Sequence, residues 1–336
     1  MKETLYILSS EVELTKSKDS LTCTRPNPEN EGEVIKQKIP LAHLHSIEVY
    51  GRIKISTPLL KICNELKIPC YFNTYNGVPI GQFLPEKPIP GIIRLFQYKS
   101  YFDQSKKLHI AKAIVNKASL ERIRILRKYD KKKELNEEIS DLTSYKNKIH
   151  KSRKISALRG LEGNFMKKFF ACFSKLLYHL PFGSRSQQPP KDEANAIMSY
   201  GNVVLYNTVR AVVYRCALDP LIGFLHDPNG NRNSLALDIA EIFRPIIVDN
   251  LILLLDHRGT LLPSHFRKGD IKCLLAPKGK KIWLSNYRNY LQSSIRYPPL
   301  RRYISIREEI KLECYNLIKY LTEENKDYIP LDFKNI

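Results

Sequence analysis

A proline-rich segment, PEKPIPG at residues 85–91, divides this chain of 336 residues into two regions whose apolar side chains recur with different periods. Before it, five short apolar runs separated by polar turns predict β-strands, and Pro58 predicts the first turn of one helix among them. After it, apolar residues recur at helical spacing. We therefore predict an α+β protein with a small N-terminal β-rich domain over residues 1–85, a linker over residues 86–91, and a larger all-α domain over residues 92–336.

The charge balance constrains the partners of this chain. It carries 55 lysines and arginines against 34 aspartates and glutamates, which gives a net charge of +21. Such an excess predicts a polyanionic partner, and nucleic acid is the leading candidate. Anionic membrane is less favoured, because the basic residues are spread along the sequence instead of forming one amphipathic anchor. A soluble lysine-rich protein with no anionic partner is the alternative.

Two absences in the sequence predict a cytoplasmic protein that does not enter a membrane. No run of about 18 apolar residues exists, so no transmembrane helix is expected. The first residues, MKETLYILSS, carry Glu3 and too short an apolar stretch for a signal peptide. Seven cysteines are scattered without a CxxC pair, which indicates free thiols in a reducing compartment and no zinc ribbon.

One histidine, His226, precedes a turn and then a helix within residues 219–249. The turn is DPNGN, and Ser234 offers a side-chain oxygen at the predicted N-cap. Asp238 and Glu241 lie one turn apart on the same side of the apolar stripe of that helix. A histidine with two carboxylates is a plausible site for a divalent metal, whereas a solvated carboxylate pair beside a packed histidine is the alternative. The stripe consists of Leu235, Ile239, Ile242 and Ile246.

The helical region upstream contains two further features. Residues 121–154 are rich in both charge signs, which predicts an exposed helical hairpin with intrahelical ion pairs or, alternatively, a contact to the DNA backbone. The next predicted helix, residues 155–180, places Glu162 beside an apolar stripe, one turn before Phe165. A carboxylate in that position is unfavourable unless it is paired, hydrogen-bonded or bound to a metal.

Four short motifs follow one another along the chain: RGLEG (159–163), PPKDEANA (189–196), DPLIGFLH (219–226) and SLALDIAEIFRP (234–245). In this order they resemble the CRISPR-associated integrase family, the first and universal Cas protein of spacer acquisition. The N-terminal sequence VYGRIKISTPLLKICNELKIPCYFNTYNGVPIG also resembles the family, and the resemblance extends from about residue 3 to residue 330.

The resemblance implies a catalytic C-terminal domain with one divalent ion, Mn²⁺ or Mg²⁺, in each active subunit. Matched motif by motif, Glu162, His226 and Glu241 take the positions of the metal ligands. Asp238 lies beside them as a supporting residue or base, and a helix first-turn acid is its alternative role. The implied reaction is a metal-dependent transesterification, in which a DNA 3′-hydroxyl attacks a phosphodiester of the repeat array; with water, the same site would act as an endonuclease.

The resemblance also implies partners: double-stranded DNA fragments, CRISPR repeat DNA, a second copy of the chain joined through the N-terminal domain, and a small ferredoxin-like second Cas protein. Two alternatives remain open, namely a stand-alone nuclease acting on branched or single-stranded DNA and a non-catalytic DNA-binding subunit. Guanidinium and ammonium groups bind phosphates. Those predicted to contact DNA phosphates are Arg244, Arg258, Lys268 and Lys272.

Overall fold

The computed structural model describes residues 3–9, 11–27, 29–30, 32–86, 90–230 and 232–332. The chain forms two compact units, one up to residue 89 and one from Pro90 onwards. The first is β-rich and the second is predominantly helical, which confirms the predicted fold class. Within the described ranges, no helix is both long and apolar enough to span a bilayer.

In the residues of the N-terminal unit that the structure describes, there are two four-stranded sheets and one α-helix. The first sheet has the strand order β1-β5-β7-β8, in which only the β7–β8 pair is antiparallel. The second has the order β4-β3-β2-β6, in which only the β2–β6 pair is parallel. The elements are β1 Glu3–Ile7, β2 Val12–Ser17, β3 Ser20–Pro26, β4 Val34–Pro40, β5 Leu44–Tyr50, β6 Ile53–Ile55, α1 Thr57–Glu65, β7 Cys70–Asn73 and β8 Pro79–Phe83.

The hydrophobic pattern explains this unit. Strand β2 buries Val12 and Leu14 and exposes Glu13, as expected for a strand with one face on the core. Strand β5 lies between β1 and β7 and buries nearly every residue, which is typical of a strand covered on both faces. Helix α1 adds Leu59 and Cys63 to the same core.

The C-terminal unit contains nine helices and two short antiparallel hairpins within the part of the chain that is described. The hairpins were not predicted from the sequence. The elements are α2 Gly91–Phe102, α3 Gln104–Tyr129, α4 Asn136–His150, α5 Ile155–Lys175, α6 Glu193–Arg215, α7 Ser234–Phe243, α8 Asn250–His257, β9 Phe266–Lys268, β10 Cys273–Leu275, α9 Pro277–Gln292, β11 Ser294–Tyr297, β12 Arg302–Ser305 and α10 Ile306–Leu321.

Helix α3 is the central element of this unit and packs against α4, α5 and α7. The predicted helical hairpin exists as α3 and α4, but its exposure was wrong for the end of α3. Glu121 and Arg122 are buried there, because each has a partner of opposite charge: Lys117 lies 2.6 Å from Glu121, and Arg122 reaches Glu241. Buried charges need such pairing, so Glu121 and Arg122 belong to the interior.

Helices α7 and α8 are joined by one turn of π-helix, Arg244–Asp249. Pro245 has no backbone N–H to donate within the helix, and wide turns of this kind are frequent near functional sites. The predicted N-cap was wrong by one residue, because Asn233 occupies that position. The hydroxyl of Ser234 instead donates to the carbonyl oxygen of Asp227, 2.8 Å away, and thereby fixes the preceding turn.

Candidate active site

Asp238 holds the histidine loop in place. Its Oδ2 accepts the backbone N–H groups of Phe224 (2.5 Å) and Leu225 (2.9 Å). Its Oδ1 accepts the backbone N–H of His226 at 3.0 Å and the ring Nδ1–H at 2.7 Å. Because all four acceptor positions of this fully buried carboxylate are used, Asp238 orients His226 and leaves the ring Nε2 as the nitrogen available to a ligand.

Glycine at position 223 permits this close approach of the loop to α7. A Cβ atom there would lie 2.7 Å from the carbonyl carbon of Ser234 and 2.8 Å from Oδ2 of Asp238. Both distances are shorter than van der Waals contact, so a side chain would push the loop away from the helix. The glycine of the DPLIGFLH motif is therefore required by packing.

Arg159 joins helix α5 to the same loop. Its guanidinium donates to the carbonyl oxygen of Leu225 through Nε at 3.0 Å and to Oδ2 of Asp227 at 2.8 Å. The two acceptors flank His226, so Arg159 holds the loop on both sides of the histidine. Glu162 follows one turn later on α5 and is half-buried. The hydrogen bonds of Arg159 thus hold the RGLEG helix and the histidine loop together.

Glu241 is buried and carries ion pairs with two arginines. Oε2 lies 3.1 Å from the Nη2 of Arg122 on α3, and Oε1 lies 2.8 Å from the Nη2 of Arg244. Arg244 also donates to the hydroxyl of Tyr206 on α6. Four helical segments thus meet at one carboxylate, which explains how a charge is tolerated in this interior.

The two glutamates and the histidine interact electrostatically. Burial raises the pKa of Glu162, and the negative charge of Glu241 raises it further. Burial would also raise the pKa of Glu241, but Arg244 and Arg122 lower it below its usual range. Burial is the largest single effect on His226 and lowers its pKa; the hydrogen bond to Asp238 and the negative charges of Asp238 and Glu241 together outweigh burial, so the pKa is raised.

The chemistry of these donors fits a divalent cation. Two neighbouring carboxylates oppose each other's ionisation, and a bound cation would favour the ionised form of both. The Asp238–His226 hydrogen bond is the arrangement that usually supports a metal-binding imidazole. Within the described ranges, however, no three His, Cys, Asp or Glu side chains are close enough to share one ion. Since both oxygens of Glu241 contact arginines, coordination would require Glu241 to exchange these contacts.

A further buried acid lies near Arg122, the arginine that pairs with Glu241. Asp249, in the π-turn, is 3.9 Å from Nε of Arg122. Burial raises its pKa to about 6, against the lowering effect of Arg122 and Arg244. Sequence reasoning missed Asp249 and Arg122, because no local pattern relates Arg122 to Glu241 at a separation of 119 residues. Arg159 could have been found, since it is the first residue of the RGLEG motif.

The four predicted phosphate contacts lie in three different environments. Arg244 is part of the buried network at Glu241. Arg258 is exposed at the C-terminal end of α8. Lys268 and Lys272 are exposed on either side of the β9–β10 turn, where the N–H of Gly269 donates to the carbonyl oxygen of Lys272. The hairpin packs against α6 through β10.

The larger unit thus combines a helical scaffold with a partly buried group of two acids and one histidine, within a strongly basic chain. These features define a class of basic, mainly helical proteins with an acid–histidine site. The family model described as CRISPR associated protein Cas1 matches residues 5–289, and the chain belongs to this family.

Relatives and solved structures agree with this membership. The CRISPR-associated endonuclease Cas1 of Thermotoga maritima is 32% identical over 325 residues, which cover 96% of this chain and 98% of that protein. A solved Cas1 structure from the same organism has a TM-score of 0.81 at 29% identity and covers 99% of this chain and 100% of its own. A casposase bound to integration product has a TM-score of 0.83 over 100% of this chain and 96% of its own, and at 20% identity it shows a common fold.

Proposed function

We propose that this protein is a metal-dependent DNA endonuclease and integrase that inserts DNA fragments into a CRISPR array as new spacers. The observation that supports it most directly is the pairing of an Asp238-oriented His226 with two interacting carboxylates, Glu162 and Glu241. Family membership and the net charge of +21 support DNA as the substrate. An oxygen- and nitrogen-donor set of this kind suits Mn²⁺ or Mg²⁺.

Glu162, His226 and Glu241 are the residues that would hold the ion. When bound, it would neutralise charge on the attacked phosphate and lower the pKa of the attacking hydroxyl. Asp238 keeps the imidazole in one tautomer and one orientation. Arg122 and Arg244 keep Glu241 ionised, and Glu241 would exchange these contacts to bind the ion.

The proposed reaction exchanges one phosphodiester for another. The 3′-oxygen of the incoming fragment attacks a phosphorus atom of the repeat strand, and a new P–O bond forms. The bond from that phosphorus to the departing 3′-oxygen breaks, and the proton of the attacking hydroxyl passes to solvent while the departing oxygen acquires one. With water as the nucleophile, the same site would perform hydrolysis.

Assembly with partners belongs to the same proposal. The fragment and the repeat DNA are both anionic, and the exposed cations Arg258, Lys268 and Lys272 are available for phosphates. We propose a homodimer joined through the N-terminal unit, acting with a small second Cas protein. Since phosphate contacts release counterions, DNA affinity should fall steeply as salt concentration rises.

The decisive experiment compares Glu162→Ala with Glu137→Ala in strand-transfer assays with Mn²⁺ or Mg²⁺, repeat DNA, a 3′-hydroxyl fragment and the second Cas protein. Glu137 is an exposed acid on α4 and serves as the matched control. We expect Glu162→Ala to lose joining and cleavage while metal-free DNA binding is retained. Full activity of Glu162→Ala would refute the ligand assignment.

Two other results would select the alternatives. Wild-type cleavage without joining, with the second Cas protein present, would indicate a stand-alone nuclease. DNA binding by the wild type without any metal-dependent cleavage or joining would indicate a non-catalytic DNA-binding subunit.

A further inference from the structure

Strands β11 and β12 form a hairpin that lies beyond the part of the chain matched by the family model, which ends at residue 289. Residues 298–300, at its tip, form a turn of 3₁₀-helix that contains two prolines. Arg301 follows in a left-handed conformation with φ of 51°. The prolines restrict the backbone, so the hairpin presents its side chains on a rigid support.

The antiparallel register gives this hairpin two different faces. Ile295 pairs with Ile304 on one face, and Ile304 is 1% exposed because this face packs on the unit. On the other face Arg296 lies directly opposite Tyr303. Tyr303 is 67% exposed, and Arg296 is exposed as well. An exposed arginine–tyrosine pair on the outer face contributes little to packing.

The hairpin is also positively charged. Residues 293–305 contain three arginines and no acidic residue. Arg302 is neutralised by Glu308, whose Oε2 lies 3.2 Å from the Nη1 of Arg302. Among the residues that the structure describes, neither Arg296 nor Arg301 has an ion pair, and the hydroxyl of Tyr303 has no hydrogen bond. The folded unit therefore leaves two guanidinium groups and one phenol ring available to a ligand.

We propose that this face binds an unpaired segment of DNA, with Tyr303 stacked on a base and Arg296 and Arg301 on the phosphates. The proposal rests on the proposed function only in taking DNA as the substrate. Guanidinium groups match phosphates in charge and geometry, and a single aromatic ring stacks on a base only where the base is not stacked in a duplex. An acidic protein surface would match the charge of the arginines, but it would offer no base on which Tyr303 could stack.

The test measures fluorescence anisotropy of a labelled single-stranded oligonucleotide and of the blunt duplex of the same sequence, without divalent metal. We expect Tyr303→Ala to weaken single-strand binding at least about fivefold, the lower range of base–aromatic stacking, and to leave duplex binding unchanged. Tyr303→Phe should bind like the wild type, because stacking needs the ring and not the hydroxyl. Tyr315→Ala, which removes a 42% exposed tyrosine from α10, is the matched control.

The arginines are tested separately by salt dependence. The logarithm of affinity falls as the logarithm of salt concentration rises, and for single strands each lost phosphate contact makes this slope shallower by about 0.7. The double variant Arg296→Ala/Arg301→Ala should therefore have a slope shallower by about 1.4. Arg302→Ala, which removes the arginine paired with Glu308, should change the slope less. An unchanged slope in the double variant would overturn the proposal even if Tyr303→Ala proved to be unstable.

Other outcomes separate this proposal from the proposed function. Wild-type affinity of Tyr303→Ala for the single strand would overturn the hairpin site alone, and so would an equal loss on duplex and single strand. If Tyr303→Ala kept its DNA binding but lost strand transfer in the presence of the second Cas protein, the face would be assigned to a protein partner, against our proposal. Absence of any DNA binding by the wild type would refute both proposals.

Discussion

Replacing Asp238 with asparagine would test whether this carboxylate supports both the histidine loop and the chemistry. The carboxylate accepts four hydrogen bonds, two on each oxygen. In Asp238→Asn an NH₂ group replaces one oxygen and cannot accept, so two of the four bonds are lost. Hydrogen bonds to charged groups contribute about 1.5–3 kcal/mol each, which predicts a loss of about 3–6 kcal/mol in the free energy of unfolding.

Asp256 on α8 is the matched control. Its buried carboxylate also accepts three backbone N–H groups, those of Tyr178, His179 and Leu180. Two of them share Oδ1 and one uses Oδ2, so an asparagine that keeps its oxygen at Oδ1 loses one bond. We therefore expect Asp256→Asn to lose about 1.5–3 kcal/mol and to retain strand transfer under conditions where it is folded.

Chemical denaturation followed by the fluorescence of Trp283 would measure both losses. Trp283 is the only tryptophan of the chain and is fully buried in the same unit. At a temperature where both variants are folded, only Asp238→Asn should lose activity, because only Asp238 orients His226. Equal destabilisation and equal activity of the two variants would refute the reasoning.

Two further predictions concern packing and pH. Gly223→Ala should destabilise the histidine loop and reduce activity, because a Cβ there would clash with α7. Gly160→Ala on α5, where a Cβ meets no atom within 4 Å, should instead stabilise the unit by up to about 1 kcal/mol. Melting curves would measure both effects, and equal melting temperatures of the two variants would contradict the prediction. Burial raises the pKa of Glu309 from 4.5 to about 8, and neither of its oxygens has a hydrogen-bond partner among the described residues. The folded state therefore holds a proton that the unfolded chain releases, so stability should fall as pH rises from about 4.5 to about 8, by at most about 5 kcal/mol at about 1.4 kcal/mol per pH unit. Glu309→Gln should flatten this slope in denaturation measured across that range and Glu308→Gln should not; parallel curves for the wild type and Glu309→Gln would contradict the assignment.

Much of the site was open to prediction because its residues occur in short local motifs. DPLIGFLH contains both the histidine and the glycine that permits close packing, and SLALDIAEIFRP contains Asp238, Glu241 and Arg244. The difference between the two acids could not be read from helix geometry, which placed Asp238 nearer the core stripe and Glu241 farther from it. Both are buried, and only their hydrogen-bond partners distinguish them.

Long-range pairing limited the rest of the prediction. The charged sequence of residues 121–154 predicts an exposed hairpin, since charges usually face solvent. Arg122 is nevertheless 1% exposed, because it meets Glu241 and Asp249 from another part of the chain. The β11–β12 hairpin was missed for a related reason: its strands have four residues each, too few for a period to be distinguished from chance.

The amino-acid sequence by itself determined the division into a β-rich and a helical region, the positions of the major helices, and a set of acids and a histidine that resembles one family. These features depend on local periodicity and on motifs of a few residues. The tertiary structure alone decided which charges are buried and what each one contacts. Burial strengthens an ion pair, and the partners here can lie about a hundred residues apart in sequence. The roles of Asp238, Glu241 and Arg122 therefore follow from the packing of α7 against the histidine loop and against α3.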